Sequence, residues 1–300
     1  GSAATTTVPM TTVPIPLTPI AATTTTAPML PYGEDQGHMG PEDGYWVVDR
    51  RGMVSAFGGA VSYGTAAGTR IQGQVVAMAA PPDYQGYWLA GADGGVLAFG
   101  DARWYGSASD IHLRQPLVAM AATRDGRGYW LVSGDGGVFA YGDALYYGSL
   151  APFRLGLHVT AFAPTPDGRG YWLATGAGAV FAFGDAGFYG SPAGRSLTQP
   201  ITGLLPTADG HGYLMVARDG GVFAYGDATY MGSLPSERAR ATVVAAAPTY
   251  DGRGYYMLSA AGRIFAFGGA PPAAAAGARL SSVAVAIVSH WSFAAIADMP

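Results

Sequence analysis

Aspartate, arginine and histidine recur along this chain at spacings that could bring them together around a ligand. Asp83, Asp125, Asp167, Asp209 and Asp251 follow one another at one constant interval, and Arg127, Arg169, His211 and Arg253 each stand two positions after one of them. A second series, Asp101, Asp143, Asp185 and Asp227, keeps the same interval. Carboxylates beside guanidinium groups make a surface suited to a polar ligand. The same residues also have a structural use. Asp in a Gly-rich turn accepts backbone N–H groups and can pair with an Arg of a neighbouring turn. Twelve of the seventeen aspartates occupy repeat-equivalent positions. A group present in every unit serves to build the unit, so this pattern disfavours a catalytic centre.

Other reactive groups are sparse. Cysteine is absent, and Glu occurs only as Glu34, Glu42 and Glu237. The histidines His38, His112, His158, His211 and His290 lie in separate units, with no His-x-His or His-Glu-x-x-His spacing. No Gly-x-Ser-x-Gly elbow, phosphate loop or dinucleotide fingerprint precedes a helix. The expectation is therefore no catalytic residue, no metal and no cofactor. Two features escape the repeat. One is the acidic loop from Gly33 to Asp43, which carries Glu34, Asp35 and His38. The other is a set of variable connections bearing Arg70, His112, Arg114, Arg154, His158, Arg195, Arg238 and Arg240, a mildly basic rim that an anionic polymer could use. The candidate binding residues are Glu34, Asp35, His38, Arg127, Arg169, His211 and Arg253.

The elements that would position these residues are short strands. Gly-Tyr pairs recur at Tyr45, Tyr87, Tyr129, Tyr171, Tyr213 and Tyr255, again at that one interval and without a slip. Within the unit around Tyr129, the runs Leu117–Ala121, Tyr129–Val132, Val138–Tyr141 and Leu145–Tyr147 are apolar or aromatic and are separated by Gly/Asp turns. No window shows a helical period. Tandem four-stranded meanders of this length predict an all-β fold, a β-propeller. Naming the strands a to d, the small residues of strand a suit a crowded inner position, and the bulky residues of strand d suit the rim. Strand order places a–b and c–d loops on one face, and b–c and d–a loops on the other.

Gly1-Ser2 reads as a vector-derived remnant, and residues 3–300 as one propeller domain. Residues 26–277 supply six blades, the first taking its strand a from Met29-Leu30-Pro31. Two apolar runs within 283–297 match strands a and b of a further unit. Residues 3–25, rich in Thr and Pro, supply its outer strands from Val8–Ile15 and Leu17–Thr24. The expectation is seven blades, the last shared between both ends, with six blades as the alternative. A net charge of −4 and the lack of a basic stripe disfavour nucleic acid. The apolar stretch near residue 290 is too short for a membrane helix.

Tyr129 to Ser149, YWLVSGDGGVFAYGDALYYGS, with close copies from Tyr87, Tyr171 and Tyr213, resembles the GYWL-x-x-x-DGGVF-x-FGDA-x-FYGS repeats of exported actinobacterial proteins. The resemblance covers nearly all of residues 44–270. It weakens in the first and sixth units, where Gly59 and Gly269 replace the Asp of the GDA turn, and at Pro271–Ala274, where strand d loses its aromatics. Ser133-x-Asp135-x-Gly137-x-Phe139 partly resembles the Asp-box hairpin of sialidase-type propellers, with the aromatic one place early. The family resemblance implies an extracellular or envelope location and carries no catalytic residues. The leading expectation is a non-catalytic binding or scaffolding module whose partner is a protein or an envelope polysaccharide. The alternatives are a saccharide-active enzyme with its site at the channel mouth, and a structural subunit of a surface assembly.

Overall fold

The computed structural model describes residues 44–67, 73–153, 155–249, 252–272, 280 and 282–289. Among the described residues are eighteen strands, one 3-10 turn at Ala151–Phe153, and no α-helix. None of these elements is a helix long and apolar enough to cross a membrane. The strands form six antiparallel sheets of three. Blade 2 consists of β3 (Val75–Ala79), β4 (Gly86–Gly91) and β5 (Val96–Gly100). Blade 3 holds β6 (Leu117–Ala122), β7 (Gly128–Ser133) and β8 (Val138–Gly142). Blade 4 holds β9 (Val159–Pro164), β10 (Gly170–Thr175) and β11 (Val180–Gly184). Blade 5 holds β12 (Ile201–Pro206), β13 (Gly212–Ala217) and β14 (Val222–Gly226). Blade 6 holds β15 (Val243–Pro248), β16 (Gly254–Ser259) and β17 (Ile264–Gly268).

Blade 1 is built differently. β1 (Gly44–Asp49) pairs with β2 (Val54–Gly58) on one side and with β18 (Ala284–Ser289) on the other, in register Tyr45↔Ser289 and Trp46↔Val288. The expected seventh, shared blade is therefore not formed. The segment assigned to it is the inner strand of blade 1, and the position sought for Met29-Leu30-Pro31 is taken. Residues 3–25, 29–31 and 291–297 lie outside the described residues. Asp49 marks the junction. Fully buried, it accepts the N–H groups of Arg51 (2.9 Å) and Met53 (3.0 Å) at Oδ1, and that of Ser282 (2.9 Å) at Oδ2. At the equivalent places the other blades carry Gly91, Ser133, Thr175, Ala217 and Ser259, none of which has a carboxylate to reach across to β18.

The middle strand of every blade is buried at all six positions. Side chains alternate across a strand, so each middle strand feeds two interfaces. Trp46 and Val48 pack with Tyr87 and Leu89, Trp88 and Ala90 with Tyr129 and Leu131, Trp130 and Val132 with Tyr171 and Leu173. The series continues through Trp172 with Tyr213 and Leu214 with Tyr255, and Tyr256 and Leu258 return to Tyr45 and Val47. Six interfaces thus close a ring. The inner strands follow the same order, β18, β3, β6, β9, β12, β15 and back to β18. This closure fixes the number of blades at six.

In blades 1 to 5 the fourth, outer segment is not a ladder strand. The outer segment is clipped in place by side chains. Within a blade, the indole N–H of Trp46, Trp88, Trp130 and Trp172 donates to the carbonyl fifteen residues on, at 2.7–2.8 Å. Between blades, the hydroxyl of Tyr171 accepts the N–H of Tyr147 (3.0 Å) and donates to the carbonyl of Gly148 (2.6 Å). Tyr87, Tyr129 and Tyr213 do the same to the blades before them. Gly148 has φ of +137° and lies flat against Phe183; a Cβ there would come within 2.7 Å of the ring. Glycine is required because a side chain would collide with the next blade, and its backbone angle interrupts an extended strand.

Candidate functional site

The a–b and c–d turns meet on one face, as their alternation requires. In blade 3 the Thr123 hydroxyl lies 3.0 Å from Asp125 Oδ1 and 3.1 Å from Asp143 Oδ1, so one threonine bridges the two carboxylate series. Thr165 repeats the arrangement between Asp167 and Asp185 in blade 4. Asp125, Asp167 and Asp209 each accept the backbone N–H two residues later, from Arg127, Arg169 and His211. Among the described residues, Arg127 and Arg169 form no ion pair with a neighbouring turn, unlike the expected pairing. Arg127 Nε stands 3.7 Å from Asp125 and Arg169 Nε 3.9 Å from Asp167, each within its own turn. Both arginine side chains are about four-fifths exposed (79%), so these pairs contribute little stability.

The two carboxyls of a pair are driven apart in acidity. The N–H of Arg169, with the Thr165 hydroxyl, holds Asp167 below the usual carboxylate range. At Asp125 slight burial opposes ionisation, but the Arg127 N–H and the Thr123 hydroxyl outweigh it and the shift is downward. Their partners move up: Asp143 through burial and its contact with Asp125, Asp185 through burial and the charge of Asp167. Asp209 is pulled furthest down, first by the N–H of His211 and then by the imidazole itself. A split pair of carboxyls resembles an acid–base couple. Here it recurs in successive blades, as expected of turn chemistry.

Blade 5 differs in one ligand. His211 Nδ1 lies 3.1 Å from Asp209 Oδ2, and Asp227 completes a group whose ligand atoms all lie within 4.8 Å of one another. Two carboxylates and an imidazole are donors suited to a divalent cation. Sequence spacing missed this group because Asp227 comes from the other turn series. Its signal was the change from Arg to His at one repeat position.

A cleft of about 570 Å³ opens on the same face across blades 2 to 4, with Asp83, Asp125, Asp143 and Asp167 on its walls beside Trp130 and Leu145. Arg127 and Arg169 stand on the turns that border it. His211 belongs to blade 5 and Arg253 to blade 6, so the four residues are spread around the face instead of converging. Glu34, Asp35 and His38 lie outside the described residues.

The sequence pattern places bulky residues at the rim, and the structure shows which of them are free. Trp104 (57% exposed), Tyr146 (57%), Phe188 (61%) and Tyr230 (49%) occupy one position in four consecutive blades. Their neighbours Tyr105, Tyr147 and Tyr189 turn inward and donate to the carbonyls of Gly126, Gly168 and Gly210 in the following blade.

No family model matches this chain, and no curated protein matches it. Among solved structures it is similar to the β-propeller domain of Cps50 (Swd1) from Myceliophteria thermophila. The identity is 12%, the TM-score is 0.50, and the match covers 82% of each chain. At that identity the likeness shows the fold alone.

Proposed function

We propose that this chain is a non-catalytic binding or scaffolding module exported to the cell envelope, where it holds a protein or a polysaccharide. The observation that carries this reading is the rim. Trp104, Tyr146, Phe188 and Tyr230 project apolar rings into solvent from four adjacent blades. Aromatic residues left exposed in an array cost solubility and suit contact with a partner surface or a sugar face. The acidic and basic repeats, by contrast, already have work in their own turns. Retention of isolated envelope polysaccharide and envelope protein fractions on the immobilised chain tests the reading. Wild type should retain one fraction at least tenfold better than a W104A/Y146A/F188A/Y230A variant. Equal retention of every fraction by the two proteins would overturn it.

The split carboxyl pair Asp125–Asp143 on the wall of the 570 Å³ cleft favours a second reading, hydrolysis or cleavage of a saccharide. Turnover in a broad glycosidase and lyase screen that is abolished by Asp143→Asn would establish it in place of the first.

A further inference from the structure

The face opposite the carboxylate turns carries a cleft of about 740 Å³ between blades 5 and 6, lined by Gln199, Arg218, Asp219, Arg238, Arg240 and Thr242. Three guanidinium groups share it with one carboxylate. That carboxylate is engaged, since Asp219 Oδ1 accepts the N–H of Gly221 at 3.0 Å. Among the described residues no ion pair involves Arg218, Arg238 or Arg240, so the cleft holds a local excess of positive charge in a chain of net charge −4.

These arginines are not demanded by the fold. Arg218 stands in the b–c turn, where blade 1 carries Arg50 but blades 2, 3, 4 and 6 form the same turn with Ala92, Gly134, Gly176 and Ala260. Its backbone is fixed on both sides: the N–H donates to the carbonyl of Pro200 (2.8 Å), and its carbonyl accepts the N–H of Val243 (2.7 Å). The connection carrying the other two is also fixed. Leu234 is fully buried, Ala239 N–H donates to the Leu234 carbonyl at 3.0 Å, and Ser233 and Ser236 bond to each other's backbone N–H. At the end of this turn Arg238 adopts φ of +55°, a conformation that costs a non-glycine residue about 1 kcal/mol or more. Rigid loops that present cations lose little entropy when they bind.

We infer that this cleft binds an acidic polysaccharide, with Arg218, Arg238 and Arg240 gripping carboxylate or phosphate oxygens along the glycan. Guanidinium is the side chain best shaped for such oxyanions. Gln199 and Thr242 offer both donors and acceptors, which sugar hydroxyls require. Ala239 and Ala241 also line the cleft, and their small side chains leave room for a pyranose. A nucleic-acid duplex needs a longer basic track than three residues. The inference rests on the binding-module reading, but it uses none of the rim aromatics.

The test is titration of the full chain with polygalacturonate, phosphorylated dextran, neutral dextran, poly-glutamate and duplex DNA. Three proteins are compared: wild type, R218A/R238G/R240A, and the four-residue rim variant. Each replacement in the arginine variant suits its backbone, and R218A alone serves as a second, milder variant. One acidic glycan should bind wild type and weaken with added salt. The arginine variant should lose that binding at least tenfold, R218A severalfold, and the rim variant should keep it. Whichever acidic glycan binds identifies the oxyanion as carboxylate or phosphate. Undiminished binding by a folded arginine variant, failure of both acidic glycans, or tighter binding of poly-glutamate or DNA would overturn the inference. If the arginine variant still retains envelope material while the rim variant does not, the cleft assignment fails and the module reading stands.

Discussion

The tyrosine that joins one blade to the next can be removed with almost no change in shape. Tyr171→Phe deletes one oxygen and keeps the ring, so the packing against Phe183 (centroids 5.6 Å apart) and the edge contact with Tyr147 (5.6 Å) persist. Two hydrogen bonds are lost, from Tyr147 N–H at 3.0 Å and to Gly148 carbonyl at 2.6 Å. Each is worth about 1 kcal/mol net. Tyr147 and Gly148 are only half-buried, so water can partly re-satisfy the freed groups. The expected loss is then about 2 kcal/mol, the sum of two such bonds. With a urea dependence of about 3 kcal/mol per molar, the midpoint should fall by roughly 0.7 M with an unchanged slope. Urea titration followed by tryptophan fluorescence and by far-UV circular dichroism measures it. A shift below about 0.5 kcal/mol, the least that one net hydrogen bond contributes, would refute the claim that these hydroxyls hold the outer segments and join the blades.

Three further outcomes follow from the same contacts. Gly148→Ala should destabilise more than Tyr171→Phe, by roughly 3 kcal/mol, because a positive φ and contact with Phe183 add; thermal melting of both variants gives the order. Asp49→Ala removes an acceptor from three backbone N–H groups and should cost about 2–3 kcal/mol, with hydrogen exchange rising in β1 and β18 before the other blades. Burial raises the phenols of Tyr45, Tyr213 and Tyr255 to about 12, and lifts Tyr87, Tyr129 and Tyr171 in the same direction. Folding favours the neutral form, so this stability is complete below pH 10 and drains away as pH climbs through 10 toward 12. Spectrophotometric titration should show these six ionising together with unfolding, later than the exposed tyrosines.

The constant interval between Gly-Tyr pairs located all six middle strands, because Gly-Tyr at their start is demanded by packing on both sides. The turns were legible for the same reason: Asp125 and Asp167 do what a short carboxylate does in any Gly-rich turn. Strand d was misjudged because its bulky residues satisfy a strand pattern, whereas Gly148 and its counterparts break the ladder and side chains supply the attachment. The blade count failed on a pairing that spans nearly the whole described chain, from β1 to β18. The run at Ala284–Ser289 looks like any inner strand, and only Asp49, at a place where other units carry Gly, Ser, Thr or Ala, signals where it docks. Arg238 and Arg240 were legible as part of a basic rim, but the cleft itself stayed hidden because Arg218 comes from a different loop.

Closing blade 1 with β18 also has a consequence in time. Blades 2 to 6 are each complete within one short, unbroken stretch of chain, such as Val75 to Gly100 or Val243 to Gly268, and can form as they are synthesised. The β1–β2 hairpin must wait for Ala284. At about 5–20 residues per second, that delay is on the order of ten to fifty seconds, with the inner edge of β1 unpaired. The nascent protein is thus an open arc in which the inner edge of β1 stays unpaired for most of its synthesis, vulnerable to any other strand that reaches it first.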